Sequence, residues 1–540
     1  MEAVTAIVSL LHQPPAPTSA TRMFRGRSVL AWTLRRLRLC SEAGQTAVLC
    51  WEDQLPDVRP VALEAGAHVL AKGPRTRLPL VEAIAAARRW ADGWRGGLLA
   101  ATCFDNGFYG PWMLEILQCM PAEAVLLVDP DAALVDGHLL SGLVAHARAH
   151  ADTEYVFSPA APGLSGMLLR AGLLRAFAEQ GGYPGQLLNY HPDVLGRDPV
   201  STDACAPVPR GVARTTQRFL LDSRRQIRRM EKATASLDGA LADTGAEELV
   251  RRMHACAGDC DELPRDVVIQ PCARRLSSPV FAAKHDAGGD RDSLDAGILQ
   301  QVLAELAAEE DDLRLTLGGA GDPLLAEDAP RIIEAAARAG VQAIHVETDL
   351  LNEDPAVIDR LADLPVDVVS VHIPATTAET YARVMGVDGF ARVMANVQRL
   401  IDRRHADGRL VPLIAPLFVK CRQNLHEMED WYDQWLRKLG SAVIRGPGGC
   451  GGPGNDVEAA DMRPPRRVAC RQLGRSLAIL SDGRVVCCEE DVLGRQSAGR
   501  VGEAPLHRLW REAASRLRRD HDAGLWDRHP ACAGCRQWHR

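Results

Sequence analysis

The chain has 540 residues, enough for several separately packed cores. Its formal charge of −7, from 63 basic and 70 acidic side chains scattered along the chain, argues against nonspecific nucleic-acid binding. No uninterrupted apolar run approaches roughly twenty residues, so no membrane partner is expected, and fifteen cysteines without disulfide-scaffold character suit a reducing, cytoplasmic setting.

The first block, residues 1–232, reads as an α/β sandwich. Val4–Leu11 is a buried strand, too short to span a bilayer and without a basic leader. Arg27–Leu39 has helical period, with Val29, Leu30, Trp32, Thr33 and Leu37 on one broad face. Ala47–Trp51 and Val125–Val128 are further strands, and Gly137–His150 is a helix. Asp129 and Asp131 follow a strand end, and Asp222 comes late in the block; carboxylates so placed are sensible Mg2+ ligands, or else solvated turn aspartates. The segments RMFRGRSVLAWTLRRL, AVLLVDPDAALVDGHLL and RFLLDSRRQIRRM resemble GT-A type nucleotidyltransferases that activate sugars or polyols with CTP. The loop after the first strand departs from that family. LLHQPPAPTSATR has no glycine before Gly26 and three prolines, which supply no N–H donors to a triphosphate. The family's lysine is Arg27, a different donor shape.

Residues 233–263 read as a polar linker. The next block, 264–450, alternates strand and helix. Strands are expected at Val267–Pro271, Leu313–Leu317, Ala343–Glu347, Val366–Ile373, Val411–Val419 and Ala442–Arg445. Helices are expected at Ser293–Ala308, Ala329–Ala339, Pro355–Leu361, Phe390–Arg404 and Asn424–Leu439. Six such units fit a partial (β/α)6 barrel joined by right-handed crossovers, with an open flavodoxin-like sheet as the competing arrangement. Either way a ligand belongs at the strand C-termini, where Gly318, Gly319, Gly321, Asp322 and Pro323 form a glycine-rich loop. Without other information that loop is equally a tight βα turn.

LTLGGAGDPLL resembles the loop of radical SAM domains that holds the amino group of S-adenosylmethionine, with Asp322 in place of Glu. VDVVSVHIPATTAETYARVMGVDGFARVMANVQRLI and APLFVKCRQNLHEMEDWYDQWLRKLG resemble later units of the same domains. The resemblance implies a cluster loop C-x3-C-x2-C after the first strand. Here that loop is IQPCARRLSSPVFAAKHD, with Cys272 and no second or third thiol at the required spacing. Cys256-x3-Cys260 lies before the strand, so joining it to Cys272 would bridge strand ends roughly 15–20 Å apart. His372 and Thr348-Asp349 are further departures. The resemblance is to a degenerate radical SAM region, and S-adenosylmethionine binding is in doubt.

Residues 451–469 read as a Gly/Pro-rich linker, and 470–540 as a metal-binding tail. Ser476–Leu480 and Arg484–Val486 form a hairpin about the turn Ser481-Asp482-Gly483. The return strand delivers Cys487 and Cys488 to opposite faces, so one of them can share a site with Cys470 and the final Cys532-x2-Cys535. Four thiolates suit a structural zinc or a [4Fe–4S] cluster, and buried inert thiols are the bland alternative. The order of Cys470, Asp482-Gly483, Cys488, Gly499, Leu506, Trp510, Cys532 and Cys535 resembles a SPASM domain. The resemblance implies one 4Fe-4S cluster on Cys470, Cys488, Cys532 and Cys535, with Cys488 preferred over Cys487. A SPASM tail behind a degenerate radical SAM region is similar to spiro-SPASM proteins.

The isolated histidines His12, His254, His285 and His426 have no partner at ligand spacing and read as surface or loop residues. His529 and His539 flank the last two thiols and can stand in for a ligand. The leading expectation is an iron–sulfur protein with no catalytic residue of its own. It would bind a peptide, protein or small-molecule substrate, or support a partner enzyme. The alternatives are a nucleotidyltransferase with a non-catalytic metal-binding tail, and a zinc-stabilised scaffold.

Overall fold

The computed structural model describes residues 3–194, 196–256, 263–282, 294, 296–448, 457–470 and 472–539. The chain divides into two compact units, 1–258 and 259–540.

In the first unit six strands form one sheet: β1 Val4–Ser9, β2 Ala43–Trp51, β3 His68–Lys72, β4 Ala124–Val128, β5 Tyr155–Phe157 and β6 Met167–Arg170. Their order is β3-β2-β1-β4-β6-β5, with β1 parallel to both β2 and β4, and β6 antiparallel to its neighbours. The chain winds outward from β1 in one direction and resumes on its other side at β4. The C-terminal ends of β1 and β4 therefore flank a switch point, where open α/β sheets leave a crevice. β1 is buried along its whole length because helices cover both faces. Helix Val29–Leu37 is one of these; Ser28 caps it by accepting from the Ala31 amide.

The expected linker 233–263 is in part a piece of this unit. Helix Ala246–Ala255 buries Leu249, Val250 and Met253 in one core with Phe219, Met230 and Leu241. Arg36, 1% exposed, ties the segment down: its guanidinium donates to the carbonyls of Val135, Leu241, Ala242 and Thr244. A polar sequence hides this role because the apolar face of that helix is narrow.

The second unit holds β7 Asp266–Ile269, β8 Arg314–Leu317, β9 Ala343–Thr348, β10 Val368–His372, β11 Leu413–Val419 and β12 Val443–Arg445. All six are parallel and lie in sequential order. Sequential winding has no switch point, so the flavodoxin-like alternative is set aside for the barrel-type one. Closure of the six into a ring is not observed among the described residues; the sheet continues instead into the tail. β13 Ser476–Ile479 pairs parallel with β7, Ile479 opposite Ile269. β14 Arg484–Val486 and β15 Ser497–Arg500 follow antiparallel, giving nine strands in all. The tail is thus part of the same sheet rather than a separate body.

Helix Leu506–Asp522 seals this extension. Leu506, Trp510, Ala513 and Leu517 share one core with Val302, Leu303 and Leu306 of helix Ala296–Glu309. Pro505 at its N-cap offers no side-chain acceptor, and Glu305 accepts from the Leu506 amide at 3.0 Å instead.

Two outcomes follow for the first unit. Arg36→Ala leaves four buried carbonyls short of a donor and lowers its stability in urea by about 3 kcal/mol or more. A chain ending at Lys232 loses the Leu249–Met253 face and unfolds at lower urea than one ending at Cys256; equal midpoints would show that the segment is a linker after all.

Candidate iron–sulfur site and barrel mouth

In the tail, Cys470 is an electrostatic neighbour of Cys488, Cys532 and Cys535. β14 ends at Val486, so consecutive residues turn to opposite sides. Cys487 goes into the shared core with Leu506 and Trp510 and is 4% exposed. Cys488 is not part of that core. Burial pushes the Cys488 thiol well up, and the Glu490 carboxylate and Cys470 add to it. Burial also pushes Cys532 up to about 12, with Cys535 and Cys470 as neighbours, and it raises Cys535, which likewise senses Cys470. Among the described residues no three of these sulfurs lie within 4.8 Å of one another.

The surrounding backbone is fixed by specific bonds. Arg467 donates to the Cys532 carbonyl at 2.8 Å and stacks on Trp526. The Cys535 amide donates to the Cys532 carbonyl, and the Gln537 amide points at the Cys535 sulfur from 3.3 Å. His529 lies between Asp520 and Gln496, each 2.8 Å from one ring nitrogen. Both its nitrogens are thereby used, so it does not stand in as a ligand. His521, which the sequence reading did not single out, accepts from the Cys470 amide through Nδ1.

At the C-terminal ends of β7 to β12 the chain fills its own mouth. The loop after β7 sends Arg275 inward, where it grips Asp349 with two bonds of 2.7 and 2.8 Å. Ser277 donates to the same carboxylate. His372, 2% exposed, puts Nδ1 3.0 Å from Asp349 and Nε2 3.2 Å from Glu347. Arg445 closes the far side on Glu347. Burial opposes charge on His372, yet the hydrogen bonds to Asp349 and Glu347 outweigh it and its pKa is raised. Burial likewise opposes charge on Asp349 and Glu347, but Arg275 and Arg445 respectively hold them well below the usual carboxylate range.

The glycine-rich loop is engaged in the same cluster. Asp322 is 3% exposed and accepts from the amides of Leu324 and Asp349 and from the Thr348 hydroxyl. Gly321 lies so close to the β7 loop that a Cβ would sit 2.2 Å from the Cys272 carbonyl oxygen. Gly318 follows β8, Gly319 packs on Gln270, and Pro323 opens a single 3-10 turn. The Cys272 thiol is buried and points at the Asp322 carbonyl from 3.2 Å. Four and seven residues beyond Cys272 stand Leu276 and Pro279, where C-x3-C-x2-C has thiols. Cys260 and His285 lie outside the described residues; Cys256 caps a helix of the first unit.

In the first unit His12 lies in a turn, as the sequence suggested, but the fold gives it neighbours that sequence spacing did not. His12, Asp129 and Asp131 place one potential ligand atom each within 4.8 Å of the others. Asp222 is held by Arg218. No helix is long and apolar enough to cross a membrane among the described residues.

The Radical SAM superfamily model matches residues 272–420, and a model described as an iron–sulfur cluster-binding domain, SPASM, matches 470–536. An uncharacterized protein of Treponema pallidum (strain Nichols) is 31% identical over 96 residues, 18% of this chain and 27% of that protein. The chain thus matches about a quarter of that curated relative's length. Similar solved structures include BtrN in complex with AdoMet and 2-DOIA, at 13% identity and TM-score 0.35, covering 51% of this chain and 94% of that one. Native anSMEcpe with bound AdoMet is 12% identical with TM-score 0.38, covering 51% and 90%. A cytidylyltransferase from Leptospira borgpetersenii is 12% identical with TM-score 0.34, covering 47% and 94%. The matched models imply iron–sulfur clusters and AdoMet binding as family properties. The chain therefore carries one segment, residues 272–420, that is similar to the Radical SAM superfamily and another, residues 470–536, that is similar to iron–sulfur cluster-binding domains.

Proposed function

We propose that this chain is an iron–sulfur protein that holds one four-iron cluster in its tail and uses its barrel region to bind a substrate or partner rather than to make a radical. The match of residues 470–536 to an iron–sulfur cluster-binding domain supports the first half, with Cys470 an electrostatic neighbour of Cys488, Cys532 and Cys535. The donor set fits the group. Four thiols gathered out of water need a cation to carry their negative charge once ionised. Four thiolates can hold a single zinc or a four-iron cluster; the match of residues 470–536 to an iron–sulfur cluster-binding domain favours the cluster. When bound, such a cluster supplies one-electron chemistry. The chain's own part is to order the four donors through Arg467, Gln537 and the β14 turn, and to keep Cys487 out.

The barrel mouth does not fit AdoMet and a catalytic cluster. Leu276 and Pro279 cannot ligate iron, and Asp322 is already satisfied by its neighbours. The inward space carries the Arg275–Asp349–His372–Glu347–Arg445 network. No step is therefore routed through AdoMet. What remains for a ligand is a cavity of about 510 Å3 on the rim, lined by Leu276, Leu325, Leu351, Asn352, Val387 and Arg392. That volume and its apolar floor suit a small molecule or a peptide side chain. Leu276, one of the two residues standing where C-x3-C-x2-C has a thiol, would thus serve recognition. A cytoplasmic location and a peptide, protein or small-molecule partner remain part of this reading.

The protein purified without oxygen should contain about four irons and four sulfides per chain. Cys488→Ser should lose most of both, and Cys487→Ser should lose little. Stoichiometric zinc without sulfide would contradict the reading. For the barrel mouth, Arg275→Ala strands a buried Asp349 carboxylate and should cost roughly 3–5 kcal/mol in urea unfolding.

The His372 network also sets a pH dependence. Its folded pKa lies above the unfolded value near 6.5, so its contribution is full below that and is lost as pH rises through the folded value. The urea midpoint of the second unit should fall from about pH 6 to about pH 9 more steeply in the native chain than in His372→Gln. Parallel curves would show that the imidazole carries no charge there.

A further inference from the structure

The end of β1 runs directly into His12, and the end of β4 into Asp129 and Asp131. Both ends flank the switch point of the first sheet, where a ligand has access to several loops at once. One imidazole nitrogen and one oxygen from each carboxylate lie within 4.8 Å of one another. No hydrogen bond or ion pair joins the imidazole to either carboxylate among the described residues, so the donors surround a gap rather than close on each other. The His12 Nδ1 is shut off from solvent and has no partner.

Each carboxylate is held by a second residue. Asn106 donates to Asp129 at 2.7 Å, and the Asp131 amide donates to its other oxygen. Gln13 donates to Asp131 at 2.9 Å, while its own carbonyl group is occupied by the Ser19 amide. The imidazole has its place because Gly107, at φ +66°, lacks a side chain: a Cβ there would be 2.9 Å from Nδ1. Beside Asp129 is a cavity of about 20 Å3, also lined by Ser9, Asn106 and Ser165. That is room for about one water.

Arg22 approaches one Asp131 oxygen at 3.3 Å, and Arg218 is committed to Asp222.

We propose that His12, Asp129 and Asp131 form a binding site for a first-row transition dication. One imidazole and two carboxylates match the borderline preference of Mn2+ or Zn2+ better than the all-oxygen preference of Mg2+. Three protein ligands leave a position for water at the neighbouring cavity, the arrangement of an open rather than a purely structural site. The loop that follows presents carbonyls inward, with those of Leu11, Gln13 and Pro14 accepting from Trp51, Arg75 and Gln54. It offers a triphosphate no ready cradle of amides, so metal binding here requires no nucleotide.

The test is a Mn2+ titration of the full chain, purified with its tail iron in place and freed of loose metal, followed by the EPR signal of free Mn2+ with no nucleotide present. One Mn2+ per chain is expected. His12→Ala and Asp129→Asn should each weaken it at least about tenfold, and Asn106→Ala by a smaller factor. Millimolar Mg2+ should displace it poorly. Circular dichroism separates loss of ligand from loss of fold, and Cys535→Ser should leave the Mn2+ site unchanged. Absence of binding in the native chain would overturn the proposal. So would binding that a folded His12→Ala variant leaves unchanged.

Discussion

The pairing of Ser476–Ile479 with Asp266–Ile269 is the constraint on which the second unit depends. It is four residues long, yet it makes the tail hairpin the next strand of the barrel sheet. Backbone bonds at both ends hold it: Asp266 donates to the Arg475 carbonyl and Gln270 to that of Ile479. Parallel strands that are far apart in sequence cost loop-closure entropy, so this edge must be supported from outside. Helix Leu506–Asp522 provides that support by burying Trp510 and Leu517 against the helix that follows β7. Once the hairpin is fixed, the direction of Cys488 is fixed with it.

A second constraint is electrostatic. A barrel mouth lined with Glu347, Asp349 and Asp322 cannot stay buried without cations. In this chain the cations are Arg275 and Arg445, with the His372 ring between Asp349 and Glu347. Buried ion pairs of this kind add little net stability, because desolvation offsets attraction, but removing one partner is expensive. The network is therefore better seen as a lock on one arrangement of loops than as a source of folding energy. Three of the positions that depart from the family pattern, Thr348, Asp349 and His372, meet in it, which is a physical reason for their departure.

Much of the second unit was legible in the sequence because β-branched runs alternate with helical periods. All six barrel strands lie within a few residues of their expected bounds. The tail hairpin was legible from its Asp-Gly turn, with Gly483 at φ +80°. Helix Ala378–Met385 was not read as a separate element, being only eight residues long. In the first unit β3 was missed because it is half exposed and carries His68 and Lys72. β5 and β6 were missed because they are short. Arg36, Arg275 and Arg445 have no sequence signature, since a lone arginine gains meaning only from the carbonyls or carboxylates that the fold brings to it. His12 was read as unpartnered for the same reason: its neighbours Asp129 and Asp131 follow a strand that pairs with β1 only in the folded sheet.

The central claim, that the barrel mouth is closed by the chain itself while the iron resides in the tail, meets its most direct test in the EPR spectrum of the dithionite-reduced protein with and without AdoMet. The account predicts a single cluster signal that AdoMet leaves unchanged, with no 5′-deoxyadenosine above background. A second signal that shifts on adding AdoMet, accompanied by 5′-deoxyadenosine that Cys272→Ala abolishes, would contradict it.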